Sequence, residues 1–197
     1  MTTSAQEGAT SSIDFALEGR LFPAVAVHGS QALVFGGQAP GRNGELFLDA
    51  AILDAGTSQW ATIPQAPFEE PLYQPAAVAV DRGFVVVGVR CSEDASEPGS
   101  SVALCNPGGY AAARYDLSTS SWERLPDMRP PDPEGGGGAL AIGSVAGAPY
   151  FIADGVVSHF DADAGWIDVA RPSVNLERFC ATSAGLLGVT LPDSYDL

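Results

Sequence analysis

Apolar runs rich in Val, Ala, Leu and Phe recur along the chain, and each stops at Gly, Asp or Pro. PAVAVHGSQALVFGG (23–37), PAAVAVDRGFVVVGV (75–89), GALAIGSVAGAPYFIADG (138–155) and RFCATSAGLLGVTL (178–191) each read as two apolar strands joined by a tight turn. No stretch keeps a helical period long enough to compete with short buried strands. The pattern predicts an all-β chain in which one hairpin, strands A and B of a repeating unit, comes back four times.

A second pattern follows three of these hairpins: LDAGTSQW (53–60), YDLSTSSW (115–122) and FDADAGW (160–166). A bulky residue, an aspartate, a short polar turn and a tryptophan are repeated, with Trp60, Trp122 and Trp166 standing 62 and 44 residues apart. Together the two patterns resemble the kelch repeat, in which each repeat is one four-stranded blade of a β-propeller. Gly36 and Gly37 match the diglycine of that repeat, and Gly88-Val89 and Asp154-Gly155 are degenerate versions of it. Tyr115-Asp116 with Trp122 and Phe160-Asp161 with Trp166 match its second half, whereas the first unit carries Leu53 in place of the aromatic and the third is one residue short in its turn. Arg20 and Arg178 precede their first strands where the family often has an arginine. The motif residues have structural work: glycines let two backbones approach, and the aromatic residues fill the wedge between blades.

The resemblance covers residues 20 to 191 and implies blades at about 22–65, 74–128 and 138–170, with a partial fourth at 177–197 that ends on Tyr195-Asp196. Residues 1–12 read as a disordered lead into a propeller domain at 13–197. Closed propellers use four to eight blades. Three readings follow: a piece of a longer propeller, a subunit whose oligomer completes the ring, or a small ring closed by IDFALEGRL (13–21) pairing with the last blade.

Composition sharpens this picture. The 23 glycines and 15 prolines suit many short strands joined by many turns, and 46% hydrophobic residues supply a core. With 24 acidic against 9 basic residues the formal charge is −15, which disfavours nucleic acid and anionic membrane surfaces as partners. No apolar run is long enough to span a bilayer, and MTTSAQEGATSSID has neither the basic start nor the apolar core of a signal peptide, so the expectation is a soluble chain. Of three cysteines, Cys91 and Cys105 bracket a loop and are a candidate disulfide in an oxidising compartment.

Alternating strands put the A–B and C–D turns on one face and the B–C and D–A connections on the other. The first set is short; the second includes 38–45, 66–73, 91–109, 129–138 and 171–177. Long connections on a rigid scaffold carry function. The expected binding residues are therefore the polar Arg42, Glu45, Glu69, Glu70, Glu93, Asp94, Glu97, Arg129, Asp132 and Glu134. Phe68, Tyr73 and Tyr110 are the apolar anchors on the same face.

Candidate chemistry is sparse. His28 and His159 sit at a strand end and beside the Phe160-Asp161 pair, and neither belongs to a metal-ligand spacing. Asp161, Asp163 and Gly165 match the first half of a calcium loop, but the second half and its glutamate are missing, so they read as turn residues. No cofactor and no metal is expected. The resemblance implies a non-catalytic module that binds a protein partner. A sugar-modifying or oxidase-type enzyme on the same scaffold, or a carbohydrate-binding domain stacking its ligand on Phe68, Tyr73 and Tyr110, is the alternative.

Overall fold

The computed structural model describes residues 17–40, 45–92, 106–128, 141–153, 155–171, 178–182 and 185–189, with side chains described except at 91, 92, 106–108 and beyond 171. Three four-stranded antiparallel sheets follow one another along the chain. The first is β1 (Ala24–His28), β2 (Gln31–Phe35), β3 (Ala50–Asp54) and β4 (Gln59–Thr62). The second is β5 (Leu72–Val80), β6 (Gly83–Ser92), β7 (Asn106–Asp116) and β8 (Ser121–Arg124). The third is β9 (Ala141–Val145), β10 (Ala148–Ala153), β11 (Val156–Asp161) and β12 (Gly165–Ala170), and a hairpin of β13 (Arg178–Thr182) and β14 (Gly185–Val189) comes after it. In each sheet the spatial order is the chain order, a meander, as the apolar hairpins require.

The first strands of successive sheets pack side by side, β1 against β5, β5 against β9 and β9 against β13. The sheets thus stack face to face like blades around an axis. One core lies between the first two blades, where Leu33, Phe35 and Ile52 meet Leu72, Phe84, Val86 and Tyr115. A second lies between the next two, where Val85, Val87 and Ala112 meet Phe151 and Ala153. A sheet with one face in water buries every second residue of a strand; here Phe84, Val85, Val86 and Val87 are all buried, because β6 has a blade on both sides.

The motif residues occupy these wedges. Trp122 lies 5.0 Å from Tyr115 and 6.0 Å from Phe35 of the preceding blade, ring centre to ring centre. Trp166 lies 5.4 Å from Phe160 and 6.0 Å from Phe151. Each indole also reaches back across the wedge: Trp122 Nε1 donates to Pro64 O at 2.7 Å, and Trp166 Nε1 donates to Pro126 O at 3.1 Å. Both prolines stand four residues after the previous tryptophan, so the bond is as periodic as the repeat.

The aspartates close the C–D turns. Asp54 Oδ1 accepts from the amides of Gly56 and Thr57, Asp116 Oδ1 from Ser118 and Thr119, and Asp161 Oδ1 from Asp163 and Ala164. The half calcium motif is thus a side-chain-capped turn in which Asp161 accepts from its own backbone. The Ser118 hydroxyl and amide hold the Asp116 carboxyl below its ordinary range, and the Ala164 and Asp163 amides do the same for Asp161.

The diglycine answers to a different constraint. A Cβ on Gly37 would lie 2.7 Å from Leu21 O, and one on Gly36 would lie 3.3 Å from Phe47 O; both residues also take positive φ, 96° and 60°. The close approach admits Leu21, which exchanges backbone hydrogen bonds with Gln38 at 2.8 and 2.9 Å. Arg20, its side chain only 2% exposed, then locks the corner. Its Nη1 donates to Gly36 O and to Asp49 Oδ1, Nη2 donates to Asp49 Oδ2, and the guanidinium lies 4.5 Å over the Phe47 ring. The described part of the 13–21 segment therefore pairs with the first blade, where the small-ring reading had it pairing with the last.

Two boundaries move. The second blade begins at Leu72, and its middle strands run to Ser92 and restart at Asn106, so both ends of the connection expected at 91–109 are strand. A register shift between Val89 and Cys91 lets the ladder continue to Ser92, which pairs with Asn106. The Cys91–Cys105 pairing and Tyr195-Asp196 lie outside the described residues.

Trp122→Ala removes a partly buried ring and an interblade hydrogen bond. The expected loss is about 2–3 kcal/mol in urea denaturation, below the ~3–5 kcal/mol of a fully buried tryptophan, with Trp122→Phe in between. Asp116→Ala should lower the melting temperature at pH 7. Because the folded-state carboxyl is depressed, its contribution is present above the ordinary value of 3.8 and is lost as pH falls through the lower folded value, so the gap to wild type should close in acid.

Candidate functional site

The face of the long connections holds a groove of about 540 Å³ between the first two blades. Its floor is Phe68, Leu72 and Leu125, all buried, and its rim is Glu69, Glu70, Arg90, Arg124 and Asp127. Each rim residue is delivered by a different local rule. Glu69 and Glu70 lie in the connection from β4 to β5, which must cross from the outside of one blade to the inside of the next. Arg90 is near the end of β6, where the register shift opens the ladder. Arg124 closes β8 two residues after Trp122, so period-2 alternation turns it to the same side as the indole.

Asp127 holds the arginines together. Arg124 Nη2 donates to Asp127 Oδ1 at 2.6 Å, and Arg90 Nη1 stands 3.3 Å from Asp127 Oδ2. Arg124 is further fixed by Pro67 O at 3.2 Å and by the Phe68 ring, whose centre lies 5.0 Å from the guanidinium carbon. A residue of the first blade's crossing connection thus positions an arginine of the second blade. Met128 N donates to Tyr110 O at 3.2 Å, which pins the connection leaving β8 against β7.

Two guanidinium groups against three carboxylates leave the rim net negative by one, with charges of both signs within a few ångströms of an apolar floor. Such a surface can take a basic side chain at Glu69 and Glu70. The chain contains no lysine at all, so each of its nine basic residues is a planar, multi-donor arginine.

The expected residues fall into three groups. Glu69 and Glu70 are exposed on the rim, and Glu45 is exposed at the end of the first B–C connection, where its carbonyl accepts from Ala39 N. Phe68 and Tyr110 are buried: Phe68 packs edge-on against Phe35 and Tyr110 against Phe151, and Tyr110 belongs to β7 instead of to a loop. Tyr73 lies in β5, half-buried against the second core. Arg42, Glu93, Asp94, Glu97, Arg129, Asp132 and Glu134 lie outside the described residues. Arg90, Arg124 and Asp127 escaped the sequence reading because each sits inside or directly after a strand, where charge reads as a solvated edge.

The two histidines each pack on an aromatic ring, in different blades. His28 stands edge-on to Phe84 with Nε2 3.3 Å from Asp81 O, on the opposite face, and His159 stacks on Tyr150. Among the described residues no three His, Cys, Asp or Glu side chains gather closely enough to hold a metal ion.

No protein-family model matches the chain, and no curated protein does. Solved structures do match, 139 chains in all. The "Structure of YjhT", a kelch-repeat β-propeller protein, aligns with a TM-score of 0.52 and 16% identity over 78% of this chain and 53% of that one. The chain therefore has a kelch-type propeller fold and spans about half the length of that solved relative. At this identity the likeness concerns fold alone.

A double-mutant cycle on Arg124 and Asp127 should give a coupling of about 0.5–1 kcal/mol, the scale of a solvent-screened pair. A coupling of several kcal/mol in urea denaturation would make the rim a structural strut and not a surface held ready.

Proposed function

Starting from a kelch-type propeller fold, we propose that this chain is a non-catalytic interaction module whose groove between the first two blades receives a segment of a protein partner. The observation that supports this reading is the fixed rim. Arg124 is held at once by Pro67 O, the Phe68 ring and Asp127, so little side-chain entropy remains to be lost on binding. The partner segment carries a basic residue for Glu69 and Glu70. The opposite face offers less: its turns are short, and the aspartates there are occupied by their own turn amides. A stacking platform for carbohydrate finds less support, because the rings of Phe68 and Tyr110 already pack on Phe35 and Phe151.

The test is selection of a displayed random-peptide library on the immobilised protein, followed by titration of the enriched peptides. Glu69→Lys with Glu70→Lys should weaken their binding at least tenfold, whereas Thr57→Lys with Ser118→Lys on the opposite face should leave it unchanged. Equal effects from both pairs, or no enrichment of basic peptides, would defeat the proposal.

A further inference from the structure

The wedge between the second and third blades holds a cavity of about 370 Å³, a size that suits a small molecule. Tyr110, Met128, Phe151 and Ser158 lie at its floor, all buried, and Trp166, Asp163, Asp168 and Arg171 line it toward solvent. The preceding wedge is filled differently. There Arg124 stands two residues after Trp122 and beside Ala113 of the neighbouring strand, and its guanidinium lies over the Phe68 ring, donates to Pro67 O and donates to Asp127. In the third blade the position two residues after Trp166 is Asp168, and its cross-strand partner is Ser158. A carboxylate thus replaces the cation that the second blade supplies for itself, and a hydroxyl replaces the alanine. Ser158, 8% exposed, is the only serine, threonine, amide or charged residue buried as a whole among the described residues, and its Oγ donates to Asp168 Oδ1 at 2.8 Å. A buried hydroxyl costs desolvation that alanine avoids; the bond to Asp168 offsets that cost and fixes the carboxylate at the cavity wall.

We propose that this cavity binds a small organic guanidinium compound, which brings to the wedge between the second and third blades the group that Arg124 brings to the wedge before it. Asp168 accepts from the ligand as Asp127 accepts from Arg124. The half-buried Trp166 offers a ring for the cation as Phe68 does for Arg124. The charge agrees in sign. Asp127 also lines the cavity but is engaged by Arg124 and Arg90, so Asp163 and Asp168 stand against Arg171 and leave these lining residues net negative by one. A guanidinium suits the wall better than an ammonium, because one planar group can bond a carboxylate and lie against a ring at once. This inference does not rest on the protein-binding groove: the two cavities share Pro126 and Asp127, but Glu69 and Glu70 belong to the groove alone.

Isothermal titration with n-butylguanidinium tests it, with n-butylammonium and butyrate as comparisons. The guanidinium should bind at one site per chain with a dissociation constant of about 1 mM or tighter. The ammonium should bind more weakly and butyrate not at all. Asp168→Asn should weaken the guanidinium about tenfold by removing a charge-assisted bond. Ser158→Ala, which gives the third blade the residue that the second already carries, should weaken it about threefold by loosening Asp168, and serves as the decisive variant if Asp168→Asn disturbs folding. Ser158→Ala combined with Asp168→Arg rebuilds the Ala113 and Arg124 pair and should abolish binding, since the wedge then holds its own guanidinium. Glu69→Lys with Glu70→Lys alters the net charge far more than Asp168→Asn does, yet should leave binding unchanged. A larger effect from the lysine pair would reduce the binding to general attraction by an acidic protein and overturn the proposal. Equal affinity for butyrate, undiminished affinity in both the Asp168→Asn and Ser158→Ala variants, or no heat from the guanidinium at about ten times the expected constant would overturn it as well.

Discussion

The structure depends on one contact that is repeated: an indole wedged between two blades, its ring against an aromatic of its own blade and its N–H bonded to a proline carbonyl of the previous one. In a stack of small sheets the cores lie in the wedges that these indoles close. Each sheet is only four strands wide, so its stability rests on how well both faces are covered. The ring fills volume that Ala and Val cannot, and the bond to Pro64 or Pro126 satisfies an indole N–H that would otherwise be costly to desolvate. Because that carbonyl belongs to the connection entering the next blade, the same contact sets where the connection runs.

Placement of the groove follows from this. Pro64 and Pro126 pin the start of the crossing connections, and the residues just after them, Pro67 to Glu70 and Asp127, are thereby delivered to the rim. Arg124 meets Pro67 and Phe68 only because the first two blades are clamped. On the opposite face the turns are self-contained: aspartate side chains take the amides of their own turns, which shortens the loops and leaves little free hydrogen-bonding capacity. The division into a closed face and an adaptable one is thus a product of local turn chemistry on one side and interblade packing on the other.

Arg20 shows a second use of the same logic. A nearly buried guanidinium ties the segment before β1 to the end of β2 and to Asp49, and diglycine makes room for the approach. An arginine serves because one planar group can bond a carbonyl, engage a carboxylate at both oxygens and still cover an aromatic ring.

The strand class, the meander and the wedge aromatics were legible in the chain because they follow from local rules: short apolar runs between turn residues, glycine where backbones must touch, aspartate where a turn must be capped. The spacing of Trp60, Trp122 and Trp166 carried the blade architecture for the same reason, since every repeat must solve the same packing problem. The rim was not legible. Arg90, Arg124 and Asp127 are ordinary strand-end charges until the first blade's connection is folded over them, and Tyr110 looked like a loop anchor until β7 proved to begin before it. Sequence by itself determined which residues build a blade, because that information is short-range. Which charges converge on one groove was decided by the stacking of blades, because its contacts join residues as far as 57 and 58 positions apart that no local pattern relates.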